Sequence, residues 1–231
     1  NLYSPEKISI FVASAGSGAG VKSILDNTAN FGMLARKIRD SEKEKMKNYK
    51  EFMVAYDALT VSVNSKNPIV KIKDNLDTKT IRNIFSGEYK FWSDVDVSLP
   101  KKEIVVIIRD LSGGAYEVFQ ESIMGDTQIS ANAIQSPSMG ALGTKIAENE
   151  NAIGYASYGV YNQNKDKLFA LKVDGIEPTK ENILNGSYKI QRPLMFIKNS
   201  ELSENENEFV NYIFSDLGKQ IVDENGYIAV E

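Results

Sequence analysis

The sequence contains neither cysteine nor histidine. Their absence excludes thiol nucleophiles, the common zinc ligands, Ser-His-Asp triads and histidine general bases. The lack of cysteine fits an extracytoplasmic protein but does not prove one, because many cytosolic domains also lack it. The composition therefore predicts neither a metal site nor a cofactor, and it gives little support to an enzyme.

Long apolar runs are also missing, since no stretch approaches the roughly 18–20 residues that a membrane span needs. No signal peptide is recognisable, so a secreted protein would be seen here in processed form. The net charge of −4 argues against nucleic acid or an anionic membrane surface as a partner. A small anion remains a possible ligand, because its site depends on local donors. The 231 residues, 42% of them hydrophobic, predict a soluble globular protein of one or two domains.

A glycine-rich turn, Ala15–Gly20, separates a predicted strand at Ile8–Ala13 from a predicted helix that opens at Val21. A strand–turn–helix of this kind directs backbone N–H groups outward at the helix N-terminus, where the helix dipole favours negative charge. A tight turn that binds nothing is the plain alternative for this stretch alone.

The spacing of this turn excludes two nucleotide motifs. A P-loop has four residues between its glycines, followed directly by Lys, whereas Gly16 and Gly20 are one residue too close and Val21 precedes Lys22. A dinucleotide fingerprint reads G-x-G-x-x-G, whereas this turn reads G-x-G-x-G.

A second turn, Arg109–Gly114, follows a continuously apolar strand at Ile104–Ile108. An unpaired guanidinium at the end of a buried strand is costly, so an acid or a ligand should meet Arg109. Arginine is suited to bidentate recognition of phosphate-like oxygens, and Ser112, Gly113 and Gly114 offer N–H groups at the next helix. We predict that the two turns hold one small anion.

The longest β-like run, Phe52–Val63, carries one acid, Asp57. A carboxylate in such a strand is costly unless something pairs with it. A strand bend or a helix-capping role is an equally weighted alternative to a ligand-binding role.

Strands that alternate with helices, without hairpin signals, predict an α/β fold with mostly parallel sheets. The predicted strands are Phe31–Ala35, Phe52–Val63, Val105–Ile108, Ala152–Tyr155, Leu168–Val173 and Leu194–Ile197. The predicted helices are Ser41–Asn48 with Ser41 as N-cap, Thr78–Ser86 with Thr78 as N-cap and Gly87 as stop, Tyr116–Met124, Ser138–Glu148, Thr179–Leu184, and two in the last thirty residues.

Several segments form a characteristic series along the chain: Gly16–Lys22, Tyr56–Asn64, Ile81–Gly87, Phe91–Val95, the Arg109 turn with Phe119, Ala152–Tyr155 and Arg192–Leu194. Through this series the chain resembles the PstS family, the phosphate-binding proteins of bacterial ABC-type phosphate importers. The resemblance covers nearly the whole chain, and its most specific part is Phe85-Ser86-Gly87 followed by Trp92-Ser93-Asp94-Val95.

The resemblance implies a two-lobed, class II periplasmic-binding-protein fold with two crossing strands as its hinge. One lobe would comprise residues 1–62 and 193–231, and the other residues 63–192. It further implies a monomer in the periplasm or at the cell surface, lipid-anchored through a residue upstream of Asn1, that delivers inorganic phosphate to ABC permease subunits.

The same resemblance implies a phosphate site between the lobes, with Asp57 accepting a hydrogen bond from the proton of hydrogen phosphate. Sulfate has no such proton and would be rejected. The implied phosphate ligands are Ser17, Gly18, Asp57, Arg109, Ser112, Gly113 and Gly114.

Three departures from the family pattern stand out. The family's Gly-Ser-Gly-Thr-Arg turn reads Ser112-Gly113-Gly114-Ala115-Tyr116 here, so two hydroxyl side chains are lost and Ser112 is one position early. The family's first βα unit has no counterpart in Asn1–Lys7, and Met33-Leu34-Ala35 stands before Arg36 where small hydroxyl residues are expected. A sensor or adhesion protein with weakened phosphate binding is therefore the second hypothesis, and a phosphoester hydrolase is a distant third.

Overall fold

The computed structural model describes residues 9–13, 17–111 and 114–230. The strands within these ranges are β1 Gly32–Leu34, β2 Lys50–Asn64, β3 Asn75–Leu76, β4 Val105–Arg109, β5 Ile134–Ser136, β6 Ala152–Ser157, β7 Leu168–Ala170, β8 Lys172–Val173, β9 Gln191–Lys198 and β10 Ile228–Ala229. The helices are α1 Ser17–Leu25, α2 Asp40–Lys43, α3 Thr78–Ser86, α4 Trp92–Val95, α5 Gly114–Phe119, α6 Met139–Glu148, α7 Tyr158–Gln163, α8 Lys180–Leu184, α9 Glu204–Ile213 and α10 Asp216–Glu224. A 3₁₀ turn spans Pro68–Lys71, and a π-helical turn, Gln120–Met124, continues α5.

The chain divides into two compact units. The first unit takes the residues up to Tyr56 and those from Arg192 onward, and the second unit is Asp57–Gln191. The chain thus passes from one unit to the other within β2 and again at the start of β9. The hinge of two crossing strands, with predicted lobe boundaries at residues 62 and 192, stays a prediction.

The sheet of the first unit is built on β9 and the first half of β2. Strand β1 pairs antiparallel with β9, and β10 pairs antiparallel with β2. The rings of Phe31, Phe52, Phe196 and Phe209 form one cluster, in which Phe31 contacts the other three at centroid distances of 5.7–6.2 Å. All four rings are partly buried, and aromatic pairs at such distances stabilise the packing beyond the area that they bury.

Helix α1 packs closely on β1 because two glycines face each other there. A Cβ at Gly20 would lie 2.5 Å from the carbonyl oxygen of Met33, and a Cβ at Gly32 would lie 2.5 Å from that of Gly20. Apolar residues on the same side then fill the contact, among them Val21, Ile24, Leu34, Met195 and Ile197. Gly20, the last glycine of the Ala15–Gly20 turn, is therefore required by the packing of α1 on β1.

The sheet of the second unit combines both strand directions. The second half of β2 pairs antiparallel with β6 and β7, whereas β4 pairs parallel with both β6 and β5. The predicted mostly parallel sheets are therefore wrong, because a local pattern of apolar residues does not encode the direction of a strand's partner. The α/β class itself is confirmed.

Most predicted elements are confirmed, and several of the errors concern the bounds and caps of helices. Helix α3 has the predicted bounds, but Asp77 caps it by accepting from the amide of Thr80, so Thr78 is not the N-cap. Gly87 ends α3 at φ +82°, a left-handed conformation that suits glycine. The helix predicted at Ser41–Asn48 is only the single turn α2, which begins one residue before Ser41.

The strand predicted at Ile8–Ala13 is wrong for the described residues 9–13, which form no regular structure. Phe11 is 94% exposed, and Ile10 and Val12 are also exposed. The alternating pattern indicated a strand, but a strand exists only where a neighbour supplies its hydrogen bonds. Helix α1 likewise begins at Ser17 rather than at Val21, so the four described residues of the glycine turn, Ser17–Gly20, form the first turn of that helix.

Candidate functional site

The site in the first unit is the N-terminus of α1. The hydroxyl oxygen of Ser17 accepts a hydrogen bond from the backbone amide of Ala35 at 3.1 Å. A hydroxyl that accepts one bond still has its own hydrogen to donate. The amides of the first turn have no partners inside the helix, and no acidic residue lies in that turn to offset its positive end. This helix start is suited to an anion.

Gly18 lies in the same turn and differs from Gly20. A Cβ at Gly18 would meet no atom of the described chain within 4 Å. The space above Gly18 is thus open, and a ligand can approach its backbone closely. The predicted residues Ala15 and Gly16 lie outside the described residues.

Asp57 is the first residue of the second unit and lies within the continuous strand β2. It is buried, as are its strand neighbours Ala58 and Leu59. The helix-capping alternative is therefore wrong, because no helix begins at this position. A buried carboxylate requires hydrogen-bonding partners, which is the property that a ligand-discriminating acid also uses.

Arg109 ends β4, and its side chain is only 19% exposed. Its Nη2 donates to Oδ2 of Asp110 at 2.7 Å, and its backbone amide donates to the hydroxyl of Tyr155 at 3.1 Å. Its Nε is buried, and nothing in the part of the chain that the structure describes accepts a hydrogen bond from it. The predicted acid partner is Asp110, the next residue, and the guanidinium retains further donors.

Tyr155 holds Arg109 in place, a role that the sequence reasoning missed. Its ring is fully buried and stacks on Phe119 at a centroid distance of 4.4 Å. Burial raises the pKa of the Tyr155 hydroxyl, so it stays neutral and keeps its hydrogen. The signal available in the sequence was the Gly154-Tyr155 pair of the family resemblance, which carried no role by itself.

Gly114 begins the helical stretch that runs through α5 and the π-helical turn to Met124. The structure thus brings Arg109 and the start of this helix together in the second unit, five positions apart along the chain. Phe119 anchors the helix, since it packs between Phe85 and Tyr155. The predicted ligands Ser112 and Gly113 lie outside the described residues.

Arg36, which follows the third departure from the family pattern, is fully engaged elsewhere. Its two terminal nitrogens each donate to one carboxylate oxygen of Glu42 at 2.8 Å. This fork lowers the pKa of Glu42 to about 2. Arg36 therefore serves the fold around α2.

Across residues 9–13, 17–111 and 114–230, no three His, Cys, Asp or Glu side chains come together as a metal site would require. Among the helices of those ranges, none combines the length and the apolar character that crossing a bilayer demands.

Comparison with known proteins identifies the family. Residues 4–216 match the family model of the PBP superfamily domain. The "Phosphate-binding protein PstS" of Staphylococcus aureus (strain MRSA252) is 35% identical over an alignment of 239 positions, which covers 98% of this chain and 71% of that protein. The chain belongs to the PstS family. Members of this family are substrate-binding proteins of transporters and not enzymes.

Solved structures agree with the PstS assignment. A phosphate ABC transporter substrate-binding protein from Clostridium perfringens, solved with bound phosphate, is 31% identical with a TM-score of 0.70 and is matched over 98% of this chain and 90% of that one. An ABC-type phosphate transport receptor from Vibrio cholerae is 25% identical with a TM-score of 0.78, over 100% and 91% of the two chains. The predicted class II periplasmic-binding-protein fold is thereby confirmed.

Proposed function

We propose that this PstS-family protein captures inorganic phosphate and delivers it to the permease subunits of an ABC importer. The observation that carries the proposal is the partly buried side chain of Arg109 at the end of β4, the strand that helix α5 contacts. An arginine with unused donors, followed by a helix start that offers backbone amides, is a strong arrangement for an oxyanion. The similarity to the relatives named above supports phosphate as that anion.

In this proposal the ligand is bound by the predicted set: Ser17, Gly18, Asp57, Arg109, Ser112, Gly113 and Gly114. The hydroxyl of Ser17 and the amides of α1 are proposed donors, and so is the Arg109 fork. Gly113 and Ala115 replace the hydroxyl residues of the family turn, so backbone amides take a larger share of the donation here. Closure of the predicted hinge around the ligand follows the general behaviour of two-lobed binding proteins.

Asp57 gives the proposed site its choice of anion. Hydrogen phosphate uses its remaining proton to donate a hydrogen bond to a carboxylate, whereas sulfate has no proton for such a bond and brings its charge against an ionised group. Sites that depend on one such hydrogen bond reject the analogue that lacks it by roughly 10⁴–10⁵-fold. The burial of Asp57 within β2 supports this role, since low exposure strengthens both the bond and the repulsion.

The proposed setting follows from the transporter role. The protein acts as a monomer outside the cytoplasm, in the periplasm or at the cell surface, with a lipid anchor provided upstream of Asn1. The alternative of a sensor or adhesion protein with weakened phosphate binding is not favoured by the relatives named above, whose names refer to phosphate binding or phosphate transport.

Isothermal titration calorimetry of the phosphate-free protein tests the proposal. We expect saturable 1:1 heat with phosphate and none with sulfate at the same concentration. Trp92 is fully buried and donates to the carbonyl of Asn151, so its fluorescence is a poor reporter and heat is preferable. The absence of phosphate heat from folded protein would overturn the proposal. Light scattering then checks the monomer against a mass of 25.7 kDa.

A further inference from the structure

Ser136 lies beside Arg109 in the sheet, and its side chain, like Arg109 Nε, carries a buried polar atom without a hydrogen-bond partner among the described residues. Ser136, the last residue of β5, is 1% exposed, and its hydroxyl has no hydrogen-bond partner among the described residues. Buried hydroxyls are normally paired, since leaving one unpaired costs free energy. Nothing in the sequence reasoning or the family resemblance assigns a role to this residue.

The register of the sheet makes Ser136 the neighbour of Arg109. The two are direct partners in the parallel pairing of β4 with β5, and the carbonyl of Ser136 accepts from the amide of Asp110 at 3.1 Å. Partners in parallel strands lie about 4.8 Å apart with their side chains on the same face. The hydroxyl of Ser136 is therefore within reach of the Arg109 side chain after a small rotation.

The unpaired hydrogen-bonding atoms of these two side chains are complementary. Arg109 Nε carries a hydrogen and can only donate, whereas the hydroxyl oxygen of Ser136 can accept. Both atoms are buried, so an anion at the surface of the site does not reach them in this arrangement. Asp110 already holds one terminal nitrogen of the guanidinium. A hydrogen bond at Nε would be a second contact that fixes the plane of the guanidinium, and it would leave the remaining terminal N–H donors for the ligand.

We propose that Ser136 is a positioning residue, whose hydroxyl accepts a hydrogen bond from Arg109 Nε when phosphate is bound. The inference rests on the proposed function, because it assigns the guanidinium to phosphate. In this role the Ser136 hydroxyl supports the Arg109 side chain, in a chain where Gly113 and Ala115 replace the two hydroxyl residues of the family turn.

Calorimetry of Ser136 variants is the first test. Ser136→Ala should bind phosphate about 3- to 10-fold more weakly, the usual cost of ordering one long side chain on binding. Ser136→Thr keeps the hydroxyl and should keep the affinity. The matched control is Ser138→Ala, two residues along, whose hydroxyl already accepts from the amide of Ala141 as the cap of α6. This control should lose thermal stability and keep its phosphate affinity.

The stability of the ligand-free protein separates positioning from a merely structural role. Removing a buried hydroxyl without a partner is neutral or stabilising, so ligand-free Ser136→Ala should melt no lower than the parent. A variant that unfolds or melts markedly lower would overturn the inference, since Ser136 would then serve the fold.

A double-mutant cycle tests whether Ser136 acts through Arg109. Lysine has no Nε–H donor on a fork, so in an Arg109→Lys background the change Ser136→Ala should cost no further affinity. Additive losses would overturn the inference. The Nε–H resonance of Arg109, assigned by its disappearance in Arg109→Lys, should be protected from exchange in the phosphate complex of the parent and exposed in that of Ser136→Ala.

The outcomes separate the two proposals. Failure of the parent protein to bind phosphate overturns the proposed function and this inference with it. Phosphate binding by the parent, with unchanged affinity and Nε–H protection in Ser136→Ala, overturns the role of Ser136 and leaves the proposed function standing.

Discussion

The hydroxyl oxygen of Ser17 accepts a hydrogen bond from the backbone amide of Ala35, the residue that follows β1, at 3.1 Å. The bond orients the hydroxyl at the first turn of α1 and directs its hydrogen away from the strand. Ser17 is thus positioned by the fold before a ligand arrives, which reduces the ordering cost of binding.

Replacing Ser17 by alanine should therefore weaken phosphate binding. A hydrogen bond to a charged group contributes about 1.5–3 kcal/mol, which corresponds to a roughly 10- to 150-fold rise in Kd. Ser23→Ala is the control, since the Ser23 hydroxyl donates to the carbonyl of Gly20 in the same helix. Equal Kd values for Ser17→Ala and Ser23→Ala in calorimetry would remove Ser17 from the site.

The two described glycines of α1 should respond to alanine in opposite ways. At Gly20 a Cβ meets the backbone of Met33 at 2.5 Å, so Gly20→Ala should separate α1 from β1 and destabilise the fold by about 1–3 kcal/mol. At Gly18 the space is open, and alanine is the better helix former by up to about 1 kcal/mol. Urea unfolding of both variants checks the contrast. Equal midpoints would show that α1 does not pack on β1 as described.

Arg109→Lys should weaken phosphate binding even though the positive charge is kept. Lysine lacks the planar fork, so at least one charge-assisted hydrogen bond is lost, about 1.5–3 kcal/mol or roughly 10- to 150-fold in Kd. Arg36→Lys is the matched control, because both terminal nitrogens of Arg36 bind Glu42. That control should lower the melting temperature without changing Kd, and the reverse pattern would contradict the assignment.

The first unit should lose stability in acid through Glu206. Burial alone raises the pKa of Glu206, but hydrogen bonds from Lys198 Nζ at 2.7 Å, Ser203 N at 2.8 Å and Asn30 Nδ2 at 2.9 Å outweigh it and lower the pKa to about 2. A carboxyl with a depressed folded-state pKa contributes stability that is present above its unfolded pKa of 4.5 and is lost as the pH falls towards 2.

Denaturant unfolding between pH 7 and pH 2 measures this contribution. In Glu206→Gln the free energy of unfolding should be lower at pH 7 and should fall less between pH 4.5 and 2 than in the parent protein, because the group that titrates is gone. Glu208→Gln, an exposed change on the same helix, should follow the parent curve. Parallel curves for Glu206→Gln and the parent would show that the ion pair of Glu206 with Lys198 makes no pH-dependent contribution to the free energy of unfolding.

Elements with strong local signals were predictable from the sequence. Helix α3 has the predicted bounds because its apolar residues repeat at helical spacing and Gly87 adopts the left-handed conformation that ends it. Strand β2 was found because its apolar β-like run is long. These features depend on residues that are neighbours in the sequence, so the local pattern is sufficient to predict them.

Features that depend on distant partners were not predictable. The described residues around Phe11 alternate like a strand, yet they have no strand pairing in the part of the chain that the structure describes. The bond from Arg109 to the hydroxyl of Tyr155 joins residues 46 positions apart, and the stacking of Tyr155 on Phe119 is equally remote from any local pattern. The two anion-binding turns were inferred from their glycine and arginine patterns, whereas the phosphate-binding roles of Ser17, Gly18 and Asp57 came from the family resemblance. All of these binding roles stay predictions.

Asp57→Asn should relax the choice between phosphate and sulfate. The amide of asparagine removes the negative charge that opposes sulfate, and its NH₂ group donates to either anion. The preference for phosphate, expected at roughly 10⁴–10⁵-fold in the parent, should fall by at least about 100-fold, mainly through a gain in sulfate binding. Competition calorimetry with both anions at a fixed pH measures the ratio.

Asp96→Asn is the control for this change, because Asp96 is an exposed carboxylate whose Oδ1 accepts from the amide and hydroxyl of Ser98. It should retain the parent's preference. An Asp57→Asn protein that still rejects sulfate as strongly as the parent would show that discrimination arises elsewhere, in the shape of the site or in the donors around Arg109. Weaker binding of both anions by the same factor would instead assign Asp57 to the support of the strand, since the loss of a discriminating group must change the ratio of the two affinities.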